Sequence, residues 1–184
     1  MNVYPSCAAV MLLWLPACLA TASAQNSAPQ LAVKDPLKIV AVYSGKWHSE
    51  DETFDTKFSK PSKESVDFIN DCSPQRDFLV CHQEASKASG TSSTVMVFLW
   101  NSKARLFETY VMDSGGGDPY HGHLTVDGDN YTWESAAEKE SSTRWRTLNL
   151  FSGHDHIVYR VQFSTDQGKK WTTTREGKET RVSQ

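Results

Sequence analysis

The sequence lacks the features that mark several large classes of protein. Its 19 Lys and Arg residues are scattered, without a basic stripe or interleaved aromatic residues, so we expect no nucleic-acid partner. No Gly-x-Ser-x-Gly elbow, phosphate-binding loop or His-Glu-x-x-His motif is present. The sequence therefore lacks the common signatures of hydrolases, nucleotide-binding proteins and zinc proteases. We interpret this as favouring binding over catalysis.

Long helical periodicity and blade-length repeats are also missing. This pattern disfavours a parallel βαβ fold, since each crossover needs roughly a dozen residues or more. Residues 164–171, STDQGKKW, fit the Ser-x-Asp-x-Gly-x-x-Trp pattern of sialidases and other β-propellers, but the pattern occurs once. We interpret it as a tight β-hairpin in which Gly168 has a positive φ, Asp166 bonds the backbone two residues on, and Trp171 folds back against the turn.

The one apolar run that could be mistaken for a membrane span lies at the N-terminus, in residues 7–20. It is shorter than the ~20 apolar residues that a span needs, and the small-x-small sequence Ala22-Ser23-Ala24 follows it. We therefore expect residues 1–24 to be a signal peptide and residues 25–34 a flexible leader. The mature chain would be periplasmic or secreted, with no transmembrane span after signal cleavage. A lipid-anchored form, suggested by Leu15-Pro16-Ala17-Cys18, is the weaker alternative.

The sequence has only four cysteines, and signal cleavage would leave two of them, Cys72 and Cys81. A hairpin centred on Arg76 and Asp77 places these two cysteines directly opposite each other on neighbouring strands. The eight intervening residues do not match the Cys-x-x-Cys pattern of redox and metal pairs. In an oxidising compartment this arrangement predicts a structural disulfide.

We predict that residues 35–184 form one all-β domain preceded by one short N-terminal helix. Asp35 and Pro36 suit the N-cap and first position of this helix, which Gly45 can end. After Gly45, nine clusters of turn-forming residues separate ten segments, several of which alternate apolar and polar residues. That spacing is typical of an antiparallel sandwich or barrel. Residues 94–100, TVMVFLW, are apolar on both faces, so we expect both faces to be covered.

Gly45-Lys46-Trp47 resembles the Gly-x-Trp signature of lipocalins and their calycin relatives. The ordered segments SGKW, CSPQRDFLVC, YHGHLTVDGDNYTWES, RWRTLNLF and VQFSTDQGKKW, with a Glu-Gly-Lys tail, resemble an exported bacterial lipocalin-like family labelled a domain of unknown function. The resemblance covers roughly residues 37–182. It implies a single closed antiparallel β-barrel of about ten strands, but no activity. It also implies that Trp47 closes one end against a basic side chain of the last strand, with Arg175 the first choice and Arg181 the alternative.

Strand alternation predicts which residues line the barrel. In residues 144–151, RWRTLNLF, the Trp145 face should point inward, because Arg144 and Arg146 would be costly inside without partners. The same alternation points Trp133 of the preceding segment and Tyr159 of the following segment inward. The residues expected to contact a small-molecule ligand are Trp133, Trp145, Thr147, Asn149 and Tyr159. Whether these side chains hold a ligand or only fill the barrel stays open.

Two His-x-His pairs raise the question of a metal site. His121 and His123 should face solvent, because the apolar residues that follow them alternate onto the other face. His154 and His156 lie beside a Ser-Gly turn. We therefore expect no metal and no other cofactor.

Three functions remain open. The favoured one is an exported lipocalin-like protein that binds a small, partly apolar molecule in the barrel interior. A non-catalytic structural or protein-interaction barrel of the cell envelope would instead predict an exposed apolar patch. An enzyme would predict a buried carboxylate or His with a perturbed pKa inside the cavity. Residues 48–52, HSEDE, are interpreted as a solvated strand face rather than an acid–base site. Ligand identity and oligomeric state are not determined by the sequence.

Overall fold

The computed structural model describes residues 35–136 and 142–183. The predicted signal peptide, the leader and the turn cluster at 139–141 lie outside the described residues. A short helix, α1 (Pro36–Val40), continues into a 3₁₀ turn (Ala41–Tyr43). The strands are β1 (Gly45–Thr53), β2 (Ser62–Pro74), β3 (Phe78–Lys87), β4 (Gly90–Asn101), β5 (Leu106–Asp113), β6 (Tyr120–Asp127), β7 (Asn130–Ser135), β8 (Arg144–Ser152), β9 (His156–Ser164) and β10 (Thr172–Ser183).

The strands form one closed barrel. Each strand pairs antiparallel with the next along the chain, and β1 pairs antiparallel with β10 to close the cylinder. The predicted ten-stranded antiparallel barrel with one short helix before it is therefore confirmed. No helix within the two described ranges is long and apolar enough to cross a membrane.

Period-two alternation creates the interior. In β9, Ile157 and Tyr159 are buried while Val158 between them is 45% exposed. In β4, Phe98 is only 1% exposed, because its ring points into the core. The outward Leu99 beside it is 37% exposed, so only the inner face of TVMVFLW is well covered.

The helical segment closes one end of the barrel. Val40 is fully buried there, and the indole Nε1 of Trp47 donates a hydrogen bond to the Tyr43 carbonyl at 3.0 Å. The Asp35 side chain does not cap the helix as predicted; it forms an ion pair with Lys38 at 3.6 Å. We call this end, where the helix packs on Trp47, the closed end.

Arg181, not Arg175, packs on Trp47. Its guanidinium carbon lies 4.1 Å from the indole ring centroid, and its Nη2 donates to the Val42 carbonyl at 2.7 Å. The prediction of Arg175 was wrong because the register of β1 with β10 decides the partner. Trp47 lies opposite Arg181, whereas Arg175 lies opposite Thr53 at the other end of β1.

Two hairpin predictions can be compared with the structure. Cys72 and Cys81 are directly opposed in the β2–β3 ladder and form the predicted disulfide. In the β9–β10 connection Gly168 has the predicted positive φ of 92°. Its amide, however, bonds the Ser164 hydroxyl at 2.8 Å, whereas Asp166 accepts from the amide of Lys170, four residues on. The loop is therefore longer than a tight two-residue turn.

Candidate functional site

A cavity of about 490 Å³ occupies the barrel interior beyond the closed end. Four of the predicted ligand contacts line it: Trp133, Thr147, Asn149 and Tyr159. Trp145 is not among the lining residues that the structure describes. It packs instead on Phe58 at 5.1 Å and on Phe163 at 5.6 Å between ring centroids. Alternation predicted its inward face correctly but gave no information about its height along the barrel.

Tyr43 forms the floor of the cavity. Its ring meets Phe98 and Phe151 of the core, at centroid distances of 6.4 and 5.5 Å. Its hydroxyl oxygen accepts hydrogen bonds from Trp133 Nε1 at 3.1 Å and from Asn149 Nδ2 at 2.9 Å. Burial raises the pKa of Tyr43 above its ordinary value, so the hydroxyl keeps its proton. Because both acceptor positions are used, that proton is left to donate to a group in the cavity.

Two polar side chains on the β2–β3 wall are already satisfied. Asn70 Nδ2 donates to the Tyr43 carbonyl at 2.9 Å, and Gln83 Nε2 donates to Asn70 Oδ1 at 3.0 Å. These bonds fix the two amides against the floor. They are therefore part of the scaffold of the cavity, since a buried amide without such bonds would be costly.

A polar cluster on β1, β9 and β10 forms the adjoining wall. The Ser49 hydroxyl donates to the Asp51 carboxylate, and Tyr159 lies beside both residues. The pKa of Tyr159 is raised, first by burial and then by its hydrogen bond to Asp51. Gly177 permits this approach, because an added Cβ would lie 2.7 Å from both Asp51 Oδ1 and the Tyr159 ring.

Glu179 stands beside this cluster. Its backbone lies opposite Ser49 in the β1–β10 ladder, and its side chain lines the cavity. Burial, and then the negative charge of Asp51, raise the pKa of Glu179 to about 7. No residue in the described ranges forms a hydrogen bond or ion pair with its carboxyl group. Glu179 is therefore the lining group whose charge is least compensated.

The outer end of the cavity, which we call the mouth, carries mixed charge. Glu64 and Lys87 form an ion pair at 3.8 Å, and the exposed Arg175 lies near Tyr159. Tyr120 completes the mouth, and burial raises its pKa to about 12. Phe58, which is 46% exposed, comes from the β1–β2 connection and packs over the β8–β9 side of this end.

The histidine pairs lie away from the cavity. His121 Nε2 is 3.5 Å from Glu108, and His123 Nε2 is 3.5 Å from Glu134, on the outer face of the barrel. Within residues 35–136 and 142–183, no group of three or more His, Cys, Asp or Glu side chains is arranged to hold a metal ion. His121 and His123 are therefore surface residues that do not contribute to the cavity.

The outer surface also carries apolar side chains. Leu99 on β4 and Tyr110 and Met112 on β5 are 37%, 40% and 42% exposed. Pairing of the two strands brings them close together, with Val97 opposite Tyr110. An exposed patch of this kind is the feature that an interaction barrel predicts.

Asp51, Glu179 and Tyr43 are the most important of the site residues that were missed in the sequence. Asp51 shares a face with Trp47, but the charge run around it suggested a solvated strand. Glu179 is two residues from Arg181, so choosing Arg181 as the partner of Trp47 would have pointed Glu179 inward as well. Tyr43 belongs to the helical segment, and nothing in its local sequence indicates that it forms a cavity floor.

Comparison with known proteins identifies the fold but not a family. No family model matches the sequence, and no curated protein matches it. The S-type phycobiliprotein lyase CPES from Guillardia theta is similar over 80% of this chain and 92% of its own, with 14% identity and a TM-score of 0.56. Rv2717c from M. tuberculosis is similar over 83% of this chain and 99% of its own, with 16% identity and a TM-score of 0.52. The chain therefore has the fold of a lipocalin-like, calycin-type barrel.

Proposed function

We propose that this barrel binds a small, partly apolar molecule in its interior cavity. The observation that carries the proposal is the cavity of about 490 Å³, which falls within the size range of small-molecule sites. Aromatic side chains such as Phe68 and Trp133 supply apolar surface, while the Tyr43 hydroxyl and the Glu179 carboxyl supply polar groups with bonding capacity left. The predicted contacts Trp133, Thr147, Asn149 and Tyr159 would hold the ligand. Trp145 would not touch it.

Titration with the neutral dye Nile red, followed by its fluorescence, tests this proposal. We expect saturable one-to-one binding by the wild-type protein. Ala85 lines the cavity, so Ala85→Trp should fill part of it and abolish binding. Ser86 is the next residue on the same strand and is exposed, so Ser86→Trp is the matched control and should leave binding unchanged. Absence of saturable binding by the wild type, or equal binding by both variants, would refute the proposal.

We further propose that the protein is exported. The disulfide between Cys72 and Cys81 is compatible with an oxidising compartment, and the cleavage pattern before Gln25 supplies a route. Mass spectrometry of the protein from its native cells should find a mature chain that begins at Gln25. A chain that begins at a lipid-modified Cys18 would replace this proposal with the lipid-anchored alternative.

An enzyme is the second candidate, because Glu179 has its pKa raised to about 7 inside the cavity. A carboxyl group with a pKa near neutrality can give and take a proton, as general acid–base catalysis requires. A ligand that binds in the cavity should then be converted to a product on incubation. Glu179→Gln should stop that conversion, and an unchanged ligand with wild-type protein would dismiss this candidate.

A further inference from the structure

The charges that line the cavity do not balance. Three carboxylates and two cations border it. Glu64 is paired with Lys87, while Asp51 accepts from Ser49 and shares its wall with Tyr159, near Arg175. With all five groups ionised, the lining carries a net charge of −1. Among the three carboxylates, only Glu179 has neither an ion pair nor a hydrogen bond within the described residues.

Neighbouring cations are not placed to neutralise Glu179. Lys178, the next residue back along β10, borders a groove on the outside of the barrel. Arg181, two residues further on, packs on Trp47 and bonds Asp155 at 3.1 Å, besides several backbone carbonyls. A carboxylate enclosed in this way is costly to ionise unless a cation joins it.

We propose that the cavity binds an amine with an apolar body, whose ammonium group pairs with the Glu179 carboxylate. This inference rests on the proposed small-molecule binding and names the class of ligand. An ammonium supplies the missing positive charge and donates hydrogen bonds to a group that has no other donor in the described structure. The Trp133 indole also lines the cavity, and an ammonium over its face would gain cation–π attraction. Carboxylate ligands are disfavoured at this point, because Glu179 and Asp51 would repel them.

Three probes of similar size separate charge from shape: 2-phenylethylamine, 2-phenylethanol and 3-phenylpropanoate. Their affinities are measured by displacement of Nile red at pH 8. The amine should bind about tenfold or more tightly than the alcohol, since it alone pairs with a buried charge. The propanoate should bind most weakly. Equal displacement by amine and alcohol would overturn the inference.

Glu179→Gln tests the residue itself. The amide occupies nearly the same volume, so the fold should survive, and the preference for amine over alcohol should disappear. Glu176→Gln is the matched control on the same strand, because Glu176 faces outward and pairs with Arg160 at 3.4 Å. This variant should keep the full preference. A Glu179→Gln variant that keeps it as well would contradict the assignment of the ammonium to Glu179.

The pH dependence of the wild-type protein gives a second measurement that needs no variant. Asp51 on β1 and Tyr43 on the 3₁₀ turn interact electrostatically with Glu179. The other charged or titratable side chains that line the cavity are Tyr159, Arg175, Glu64, Lys87 and Tyr120. No histidine is among the described lining residues. Amine affinity should therefore fall as the pH drops from 8 to 6 and Glu179 takes up a proton, while alcohol affinity stays constant. A flat amine profile would count against the inference.

The two proposals fail in different ways. If Nile red and all three probes fail to bind the wild-type protein, the proposed small-molecule function is wrong, and the inference falls with it. If Nile red binds but the amine has no advantage and no pH dependence, the function stands and the assignment of an amine ligand is wrong.

Discussion

The two ends of the barrel interior differ in packing, because side chains fill one end and the other encloses a cavity. At the closed end, Val40, Trp47, Leu124 and Ile157 are each at most 1% exposed, and the helix packs against the core there. Towards the mouth the same strands leave an open volume with charged side chains on its wall. Tyr43 lies at the boundary, with its ring in the core and its hydroxyl at the cavity. Stability is thus concentrated at one end, which leaves the other end free to carry a ligand.

The largest expected effect is at the closed end. Trp47→Ala removes a ring that is 1% exposed and should lower the free energy of unfolding by about 3–5 kcal/mol. Val66 borders the cavity and is only partly buried against the core, so Val66→Ala should cost only about 1 kcal/mol, because it removes far fewer packed atoms than Trp47→Ala. Urea denaturation measures both. Equal losses would show that the two ends are packed alike.

Replacing the two arginines of β10 should also lower the free energy of unfolding more at the closed end than at the mouth. Arg181→Ala removes the contact with Trp47 and leaves carbonyls such as those of Val42 and His154 without their donor, so it should cost about 2–4 kcal/mol. Arg175→Ala at the mouth should cost less than about 0.5 kcal/mol. Thermal unfolding compares the two variants. A larger loss of stability for Arg175→Ala would support Arg175 as the basic partner of Trp47, as the sequence suggested.

The disulfide should stabilise the protein without shaping the cavity. Replacing Cys72 and Cys81 together by Ser should cost about 2–3 kcal/mol on the loop-entropy account. Nile red affinity should stay the same, because neither cysteine lines the cavity. A loss of Nile red binding in a variant that remains folded would show that the disulfide shapes the cavity, which contradicts this prediction.

The smallest expected effect is the pH dependence of stability caused by Glu179. Its pKa is raised in the folded state, so the folded protein holds this proton more tightly than the unfolded chain. Stability from this group should therefore be greatest below pH 4.5 and decline as the pH rises to about 7. The difference between the two pKa values limits the loss to about 3 kcal/mol, and solvent at the open mouth should reduce it to about 1–2 kcal/mol. Subtracting the profile of Glu179→Gln from that of the wild type isolates the effect. A difference that instead rises with pH would mean that a cation already pairs with Glu179.

Local sequence predicted the fold because the relevant signals are local. Turn clusters divide the chain into strands, and alternation decides which face of each strand points inward. The symmetry of a short hairpin was enough to pair Cys72 with Cys81. Each of these features depends only on residues close together in the sequence, so one sequence is enough to predict it.

The cavity could not be predicted in the same way, because it depends on closure between β1 and β10. Only that register shows that Arg181 reaches Trp47 and that Glu179 faces Ser49. The height of a side chain along the axis is also a property of the whole barrel. For that reason Trp145 was assigned to the lining together with Thr147, although only Thr147 borders the cavity.

The most direct test of a ligand cavity is NMR mapping of Nile red binding to the protein. The indole N–H of Trp133 and the side-chain amide of Asn149 both bond the Tyr43 hydroxyl, so they report on the cavity floor. We predict that these two signals and the backbone of Ala85 shift together and saturate at one equivalent. Shifts confined to the outer face, around Leu99 and Tyr110, would contradict the account and assign binding to the surface.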